Sequence, residues 1–299
     1  SLPLIGSPMF IISQPDLVIA QCRSGIVGAF PSLNARPAGM FESWLQQLGE
    51  TLGESDAPFA VNLIVHRTNS RLEEDLALCV RYRVPIVITS LGAREDVNDA
   101  IHSYGGIVLH DVINNVFARK AVEKGADGLI AVAAGAGGHA GTLSPFALIQ
   151  EIRAWFDGPL ALSGSIATGR AIAAARMMGA DLGYMGTPFI ATEEANAQAA
   201  YKQMIVDGSA QDIVYSDVFT GVLGNYLRPS IVAAGLDPDA LPKAKDMDFA
   251  SLTGGEKKAW RDVWGAGQGI GAIAKVQPAA DFIAGLKADY RAAVEGFTA

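Results

Sequence analysis

Cysteine is nearly missing from this chain: Cys22 and Cys79 are the only two in 299 residues. Two thiols cannot make a disulfide framework, so a reducing cytoplasm is the expected compartment. Positive charge is scarce as well. Lysine and arginine number 23 against 31 aspartates and glutamates, and the formal charge is −8. A chain of that sign carries no electrostatic footprint for nucleic acid and no basic patch for an anionic membrane, so neither is an expected partner. No apolar run approaches the roughly 20 residues of a membrane-spanning helix. The first residues lack the basic-then-apolar order of a signal peptide. The four histidines, His66, His102, His110 and His139, do not show metal-site spacing, so no metal is expected. No Gly-x-Gly-x-x-Gly turn follows the first apolar run, which counts against a dinucleotide-binding open sheet. Ser24 and Ser144 stand outside any nucleophile-elbow context.

What the chain has instead is apolar bulk and glycine. Half of it is hydrophobic, 18% is charged, and 33 residues are glycine. That composition excludes disorder and fits a large buried core. Short apolar runs that do not alternate predict strands at 4–7, 26–30, 59–64, 86–89, 107–110, 128–132, 160–163 and 182–185. Such runs suit strands buried on both faces of a parallel sheet. Helices are predicted between them at 16–23, 40–52, 70–82, 95–103, 115–124, 145–155 and 168–178. Gly125 and Gly179 stand where helices should end. Eight strands alternating with helices predict an α/β fold, a (β/α)8 TIM barrel over residues 1–195. Beyond that the alternation stops. A helix at 194–206, a strand at 212–218, a helical stretch from 225 to 234, a polar loop at 243–255 and a helix at 256–264 predict a smaller, mainly helical cap over 196–264. The segment 265–299 opens with glycines and closes with an amphipathic helix at 278–294, expected to pack back on the barrel.

Chemistry concentrates at the predicted C-terminal ends of the strands. The sixth run leads into Gly135-Ala136-Gly137-Gly138-His139-Ala140-Gly141. Glycine lets backbone approach a ligand closely, and histidine suits proton transfer near neutral pH; the plainer alternative is a flexible turn with an incidental histidine. The seventh and eighth runs lead into Ser163-Gly164-Ser165 and Gly186-Thr187-Pro188. In barrels, loops at these two places often hold a phosphate on backbone N–H groups; the plainer alternative is two tight turns. Asn62 is a polar amide at the inner end of an apolar strand, placed to touch a ligand edge or to tie down local backbone. His66 and Arg67 follow the third strand. His110-Asp111 ends the fifth and is placed to line the site beside His139, His110 being the better candidate; the plainer alternative is a surface loop pair. Tyr215, Phe219 and Tyr226 read as an apolar roof or as plain packing, and Gln268 lies in a glycine-rich loop near the mouth. Trp44, Trp155, Trp260 and Trp264 read as packing residues.

Several of these segments, in this order, carry a resemblance: Ser7-Pro8-Met9, Phe59-Ala60-Val61-Asn62, Gly137-Gly138-His139-Ala140-Gly141, Ser163-Gly164-Ser165-Ile166, Met185-Gly186-Thr187-Pro188-Phe189, Thr220-Gly221 through Asn225-Tyr226-Leu227-Arg228-Pro229, and Gly265-Ala266-Gly267-Gln268-Gly269. The chain resembles the nitronate monooxygenases, formerly called 2-nitropropane dioxygenases, whose flavin-dependent relatives include enoyl-acyl-carrier-protein reductases of the same fold. The resemblance implies FMN at the barrel mouth. It puts Pro8 and Met9 beside the isoalloxazine, Asn62 on the flavin, and Gly164, Ser165, Gly186 and Thr187 around the phosphate. Gly137, Gly138 and Met185 complete the implied cofactor site. His139 would face the substrate as a base or as an orienting group. Two positions depart from the family's usual pattern: Gly135, where glutamate is frequent, and Pro188, where arginine is frequent. The implied reaction takes a nitronate, or a nitroalkane deprotonated to it, and oxygen to a carbonyl compound and nitrite. A small-molecule substrate and oxygen are then the expected partners, with homodimer assembly left open. Two other functions share these features, an enoyl-thioester reductase using NAD(P)H and FMN, and a flavin-binding protein without turnover.

Overall fold

In the computed structural model, which describes residues 2–37, 39–241 and 263–298, the eight apolar runs form one parallel sheet. Its strands are β1 (Leu4–Gly6), β2 (Gly28–Pro31), β3 (Phe59–Ile64), β4 (Ile86–Ser90), β5 (Ile107–Val112), β6 (Gly128–Val132), β8 (Leu160–Ser163) and β9 (Leu182–Met185). The order around the sheet is β1-β9-β8-β6-β5-β4-β3-β2. Its two ends meet. Gly6 N–H donates to Val27 O at 2.7 Å, Val27 N–H donates to Leu4 O at 3.2 Å, and Ile5 bridges Val27 in parallel. The sheet is therefore a closed TIM barrel without a free edge.

Two buried faces explain why the runs do not alternate. Ile5, Ala29, Ala60, Ile88, Leu109, Ile130, Ala161 and Tyr184, one from each strand, fill the barrel interior. The neighbouring residues point outward against the helices. Val61, Leu63, Val87 and Val108 pack with Phe41, Trp44 and Leu76 on one side, and Leu129, Leu160 and Leu162 pack with Leu148 and Ile152 on another. The helices are α1 (Pro15–Arg23), α2 (Met40–Thr51), α3 (Leu72–Arg81), α4 (Glu95–His102), α5 (Asn115–Glu123), α6 (Pro145–Arg153) and α7 (Gly169–Met177). Local chemistry sets their ends. The Thr168 hydroxyl accepts from Ala171 N–H at 3.1 Å to start α7, and Gly179, at φ +111°, turns the chain out of it into β9. The C-terminal helix, Ala279–Thr298, lies against α1 and α7, with Ile283 and Leu286 buried beside Leu17 and Ile172. Gly169 permits that approach, because a Cβ there would run into the backbone of Leu286 and Tyr290. Among the described residues no helix is long and apolar enough to cross a membrane.

A second, three-stranded antiparallel sheet stands beside the barrel, in the order β10 (Ile213–Ser216), β11 (Gly224–Leu227), β7 (Gly138–His139). It changes two expectations. Residues 138–139 are a strand rather than only a loop, and 225–227 are a strand rather than the start of a helix. The helix begins afterwards, as α10 (Arg228–Ala233), with Pro229 in its first turn. Short helices α8 (Thr187–Ile190) and α9 (Ala199–Asp207) connect the barrel to this sheet. The polar stretch 243–255 and the helix read over 256–264 up to residue 262, Trp260 included, lie outside the described residues.

Candidate functional site

The next inward-facing position above the apolar layer is polar on three adjacent strands: Asn62 on β3, Ser90 on β4 and Asp111 on β5. Asn62 is buried, and its Nδ2 donates to Ile88 O at 3.0 Å and to Ser90 Oγ at 2.8 Å. Ser90 Oγ donates in turn to Asp111 Oδ2 at 2.6 Å. Burial raises the Asp111 carboxyl to about 6, against a smaller lowering by the Ser90 bond. The charged form is disfavoured because the carboxyl lies deep in the barrel, although part of its surface stays accessible. Tyr184, on β9 in the apolar layer below, is close enough for the Asp111 charge to act on it. Burial holds its phenol well above the ordinary range, the Asp111 charge adds to that, and a hydrogen bond with Ser7 opposes it.

His110 faces the other way. It shares the outward side of its strand with Val108, is buried, and its Nδ1 meets Thr89 Oγ1 at 2.6 Å. The residue of this pair that enters the barrel is Asp111. His66 is engaged with Thr68 in a turn, with Nδ1 and Oγ1 2.8 Å apart, Arg67 is exposed, and His102 pairs with Asp127. Among the described residues no group of three or more histidine, cysteine, aspartate or glutamate side chains is placed to hold a metal ion.

The segment after β1 lies against the segment after β9. Ser7 N–H donates to Met185 O at 2.8 Å, and a Cβ on Gly186 would stand 3.3 Å from Ser7 Cβ and 3.4 Å from Met9 Sδ. Pro8 and Met9 are thus beside Gly186. Met9 is held from both ends, its N–H donating to Ser13 Oγ at 2.9 Å and its carbonyl accepting from Asn34 Nδ2 at 3.0 Å. Ile11, two residues on, sits at φ 68°, a strained region for a β-branched side chain. The Met185 side chain turns outward into the packing around Leu4, Leu17 and Phe189, so this position offers the mouth only its backbone.

Four loops converge on the far side of the mouth. Gly135 O accepts from Gln268 N–H at 2.9 Å and Ser165 N–H at 3.3 Å, and Thr187 Oγ1 accepts from Gly267 N–H at 2.8 Å. Gly135 is at φ +84°, and the space its side chain would take is filled by Ser165 Oγ and Gln268 Oε1. A glutamate at 135 would be strained by the left-handed backbone and would have to displace both side chains. A Cβ on Gly137 would lie 2.8 Å from Gly267 N, and one on Gly164 would lie 2.8 Å from Ala134 O. These glycines are required by loop-to-loop contact whatever else they do. For FMN, the residues supply neutral ring partners at Asn62 and hydroxyl donors at Ser165 and Thr187, with glycine backbone at 164 and 186 and no acidic side chain in either loop. That donor set fits the cofactor; Ser165 offers it a hydroxyl rather than its amide, which Gly135 O already occupies.

His139 stands on β7, opposite Gly224 of β11. Its Nε2 is 3.0 Å from Thr220 Oγ1, and the Thr220 hydroxyl donates to Val222 O at 3.1 Å. The Thr220 hydroxyl thus ties the imidazole to the turn at Val222 and to Tyr226 Oη, 3.3 Å away. Burial pushes the His139 pKa down to about 4. The ring keeps some exposure, but any downward shift from the ordinary histidine value leaves it neutral at pH 7. The loop around it is tied by Asn225 Nδ2 to Ala136 O at 2.6 Å, Tyr215 Oη to Ala140 O at 2.8 Å, and Ala140 N–H to Leu223 O at 3.2 Å. Tyr226 is fully buried against Phe219, with ring centroids 4.7 Å apart.

Thr220, Asn225 and Ser90 are not among the predicted site residues, and Asp111 is named only as the neighbour of His110, the preferred member of that pair. Ser90 and Asp111 were reachable by counting alternate positions, since each follows an interior residue by two, as Asn62 does. Thr220 and Asn225 lie in a segment that carries the resemblance, but nothing local gives them a role, because their partners come from the sixth barrel loop.

A closed parallel barrel with glycine loops and a neutral histidine at its C-terminal mouth has the layout of a TIM-barrel enzyme. The family model for nitronate monooxygenase matches residues 65–289, most of the chain. A nitronate monooxygenase of Paraburkholderia phytofirmans is 25% identical, the match covering 98% of this chain and 93% of the relative. One from Pseudomonas aeruginosa is 27% identical over 97% and 96%. Among solved structures, nitroalkane oxidase from Streptomyces ansochromogenes superposes with a TM-score of 0.86 at 23% identity, covering 99% of this chain and 97% of that one, a likeness of fold. The chain belongs to the nitronate monooxygenase family and is an oxidoreductase.

Proposed function

We propose that this protein is an FMN-dependent enzyme that oxidises nitronates, and nitroalkanes deprotonated to them, with oxygen to a carbonyl compound and nitrite. The observation that carries this reading is His139, held against Thr220 on β7 and kept neutral at pH 7 by burial. A neutral imidazole takes the weakly acidic α proton of a nitroalkane, whereas a cationic one would only attract the anion. Thr220 supports the ring as the imidazolium forms. When bound, FMN supplies the electron transfer between the nitronate and oxygen. Asn62, the Pro8–Met9 segment, Gly137 and Gly138 serve as ring partners, with Met185 contributing backbone only. Gly164, Ser165, Gly186 and Thr187 serve the phosphate. The barrel of residues 1–195 carries these groups, the region 196–264 acts as a substrate-side cap, and 265–299 closes the fold.

The test begins with the purified protein. It should be yellow and release FMN, not FAD, on denaturation. A nitronate added without oxygen should bleach the flavin. Bleaching by NAD(P)H and not by nitronate would replace this reading with an enoyl-thioester reductase. Bound flavin that responds to neither would leave a flavin-binding protein without turnover.

A further inference from the structure

We propose that Asp111 is a positioning residue for Asn62: through the Ser90 hydroxyl it fixes and polarises the amide whose oxygen addresses the barrel mouth. The inference deepens the reading above and rests on it only for what fills the mouth.

Proton bookkeeping gives the chain of bonds a direction. Both Asn62 N–H groups are used, one on Ile88 O and one on Ser90 Oγ. Turning the amide over would set its oxygen against Ile88 O, so the oxygen is left for the mouth. Ser90 has a single proton, and that proton goes to Asp111 Oδ2 at 2.6 Å, the short distance of a charge-assisted bond. Ser90 can therefore meet Asn62 only as an acceptor. Each bond in the series N–H···O–H···carboxylate polarises the next, so an ionised Asp111 makes the Asn62 oxygen a stronger acceptor. A proton on Oδ2 competes for the same Ser90 oxygen and removes that effect.

Asp111 has no other evident task. Burial raises its carboxyl pKa, the Ser90 bond opposes that rise, and among the described residues no cation contributes. Among the described residues, the titratable group facing it is the Tyr184 phenol, bonded to Ser7. His110, its neighbour in sequence, is turned outward to Thr89. An acid kept in a barrel with no cation beside it among the described residues is a costly placement, characteristic of functional rather than structural carboxyls. Burial leaves Asp111 titrating at about 6, while His139 lies lower, at about 4. A change in the site between pH 5 and 7.5 should therefore follow Asp111.

The measurement is the side-chain 15N amide resonance of Asn62 in the full chain, recorded from pH 5 to 8 without added flavin and assigned by its loss in Asn62→Ser. The wild-type resonance should shift with a midpoint near 6, and it should stay flat in Asp111→Asn and in Ser90→Ala. A flat wild-type profile, or an unchanged titration in Asp111→Asn, overturns the proposal. With FMN, Ser90→Ala should bind roughly 10-fold more weakly at pH 7.5, the worth of about one hydrogen bond, and the difference should shrink towards pH 5. Equal weakening at both pH values would also count against Asp111. If the wild-type chain binds no FMN, the flavin reading falls, while the amide titration still decides for or against Asp111.

Discussion

The barrel and the small sheet that carries His139 are held by different means. Each barrel strand lies between two parallel neighbours, with side chains buried in the interior layer and in the layer beneath the helices. Strand β7 is two residues long and pairs on one side only, with β11. Much of its anchorage comes from side chains: Asn225 on Ala136 O, Tyr215 on Ala140 O, and Thr220 against the imidazole. Those anchors lie between residues 215 and 225, on a segment the barrel ladder does not use. The scaffold is thus cooperative and redundant, whereas the placement of the histidine depends on a few bonds. Placement and scaffold should fail separately.

The largest separation is expected for His139→Ala. The variant should fold and hold FMN as the wild type does, because β7 contributes nothing to the barrel ladder. Turnover of a neutral nitroalkane should fall by about 10²–10⁴-fold, the usual worth of a general base. A preformed nitronate needs no proton removed and should lose much less. With the His139 pKa lowered to about 4, the wild-type base stays unprotonated from pH 5.5 to 8, so its contribution should be flat there. Equal losses on both substrates would make His139 an anion-orienting group, and a collapse of the whole fold would break the distinction between the two regions.

Asn225→Ala should come next. It strips Ala136 O of its side-chain donor at a buried position, at a cost of about 1–3 kcal/mol. If the two regions are independent, that cost appears as local opening. Amide exchange should quicken at Gly138, Ala140 and Tyr226, while amides of β3 to β5 keep wild-type protection. Turnover should drop by roughly 10-fold, in line with a misplaced base worth about 1.4 kcal/mol. Uniformly faster exchange through the barrel would show that the small sheet is part of the scaffold after all.

The same contrast explains what was legible in the sequence. Runs such as 128–132, 160–163 and 182–185 coincide with strands because burial on two faces writes itself into consecutive apolar residues. Gly138-His139 has no such signature. Two residues have no periodicity, and their partner Gly224-Asn225 comes from the other end of the chain. Residues 225–227 read as the start of the helical stretch that runs to 234, while the strand exists only through its pairing with β10 and β7. At the mouth, histidine chemistry favoured His110 over Asp111, yet the parity of the strand puts the carboxyl inside and the imidazole outside. Gly135 was legible as a loop glycine and a departure from a pattern, whereas Ser165 and Gln268, which crowd it, reach it from other loops. Local burial was readable, and contacts between distant segments were not.

The smallest effect expected tests whether the barrel, for all its regularity, is free of functional cost. Asp111 is its exception. The carboxyl titrates at about 6 in the folded chain, against an ordinary value of 3.8. The folded state therefore holds the proton more tightly than the unfolded chain does. Its stabilising contribution is complete below about pH 4 and is lost as pH rises through 6, so at pH 7 the fold bears the full cost of a buried charge. Asp111→Asn keeps an acceptor for the Ser90 hydroxyl and removes the charge. The variant should be more stable than wild type by on the order of 1 kcal/mol at pH 7, less than the full shift implies because part of the carboxyl stays accessible. The gain should vanish near pH 4. Thermal midpoints of the two proteins at those two pH values check it. A gain at pH 7 together with loss of the Asn62 titration would mark Asp111 as a residue retained for the site at the expense of the scaffold. A loss of stability at both pH values would instead make it a structural member of the barrel, and the division between cooperative scaffold and lightly held chemistry would then stop at β7.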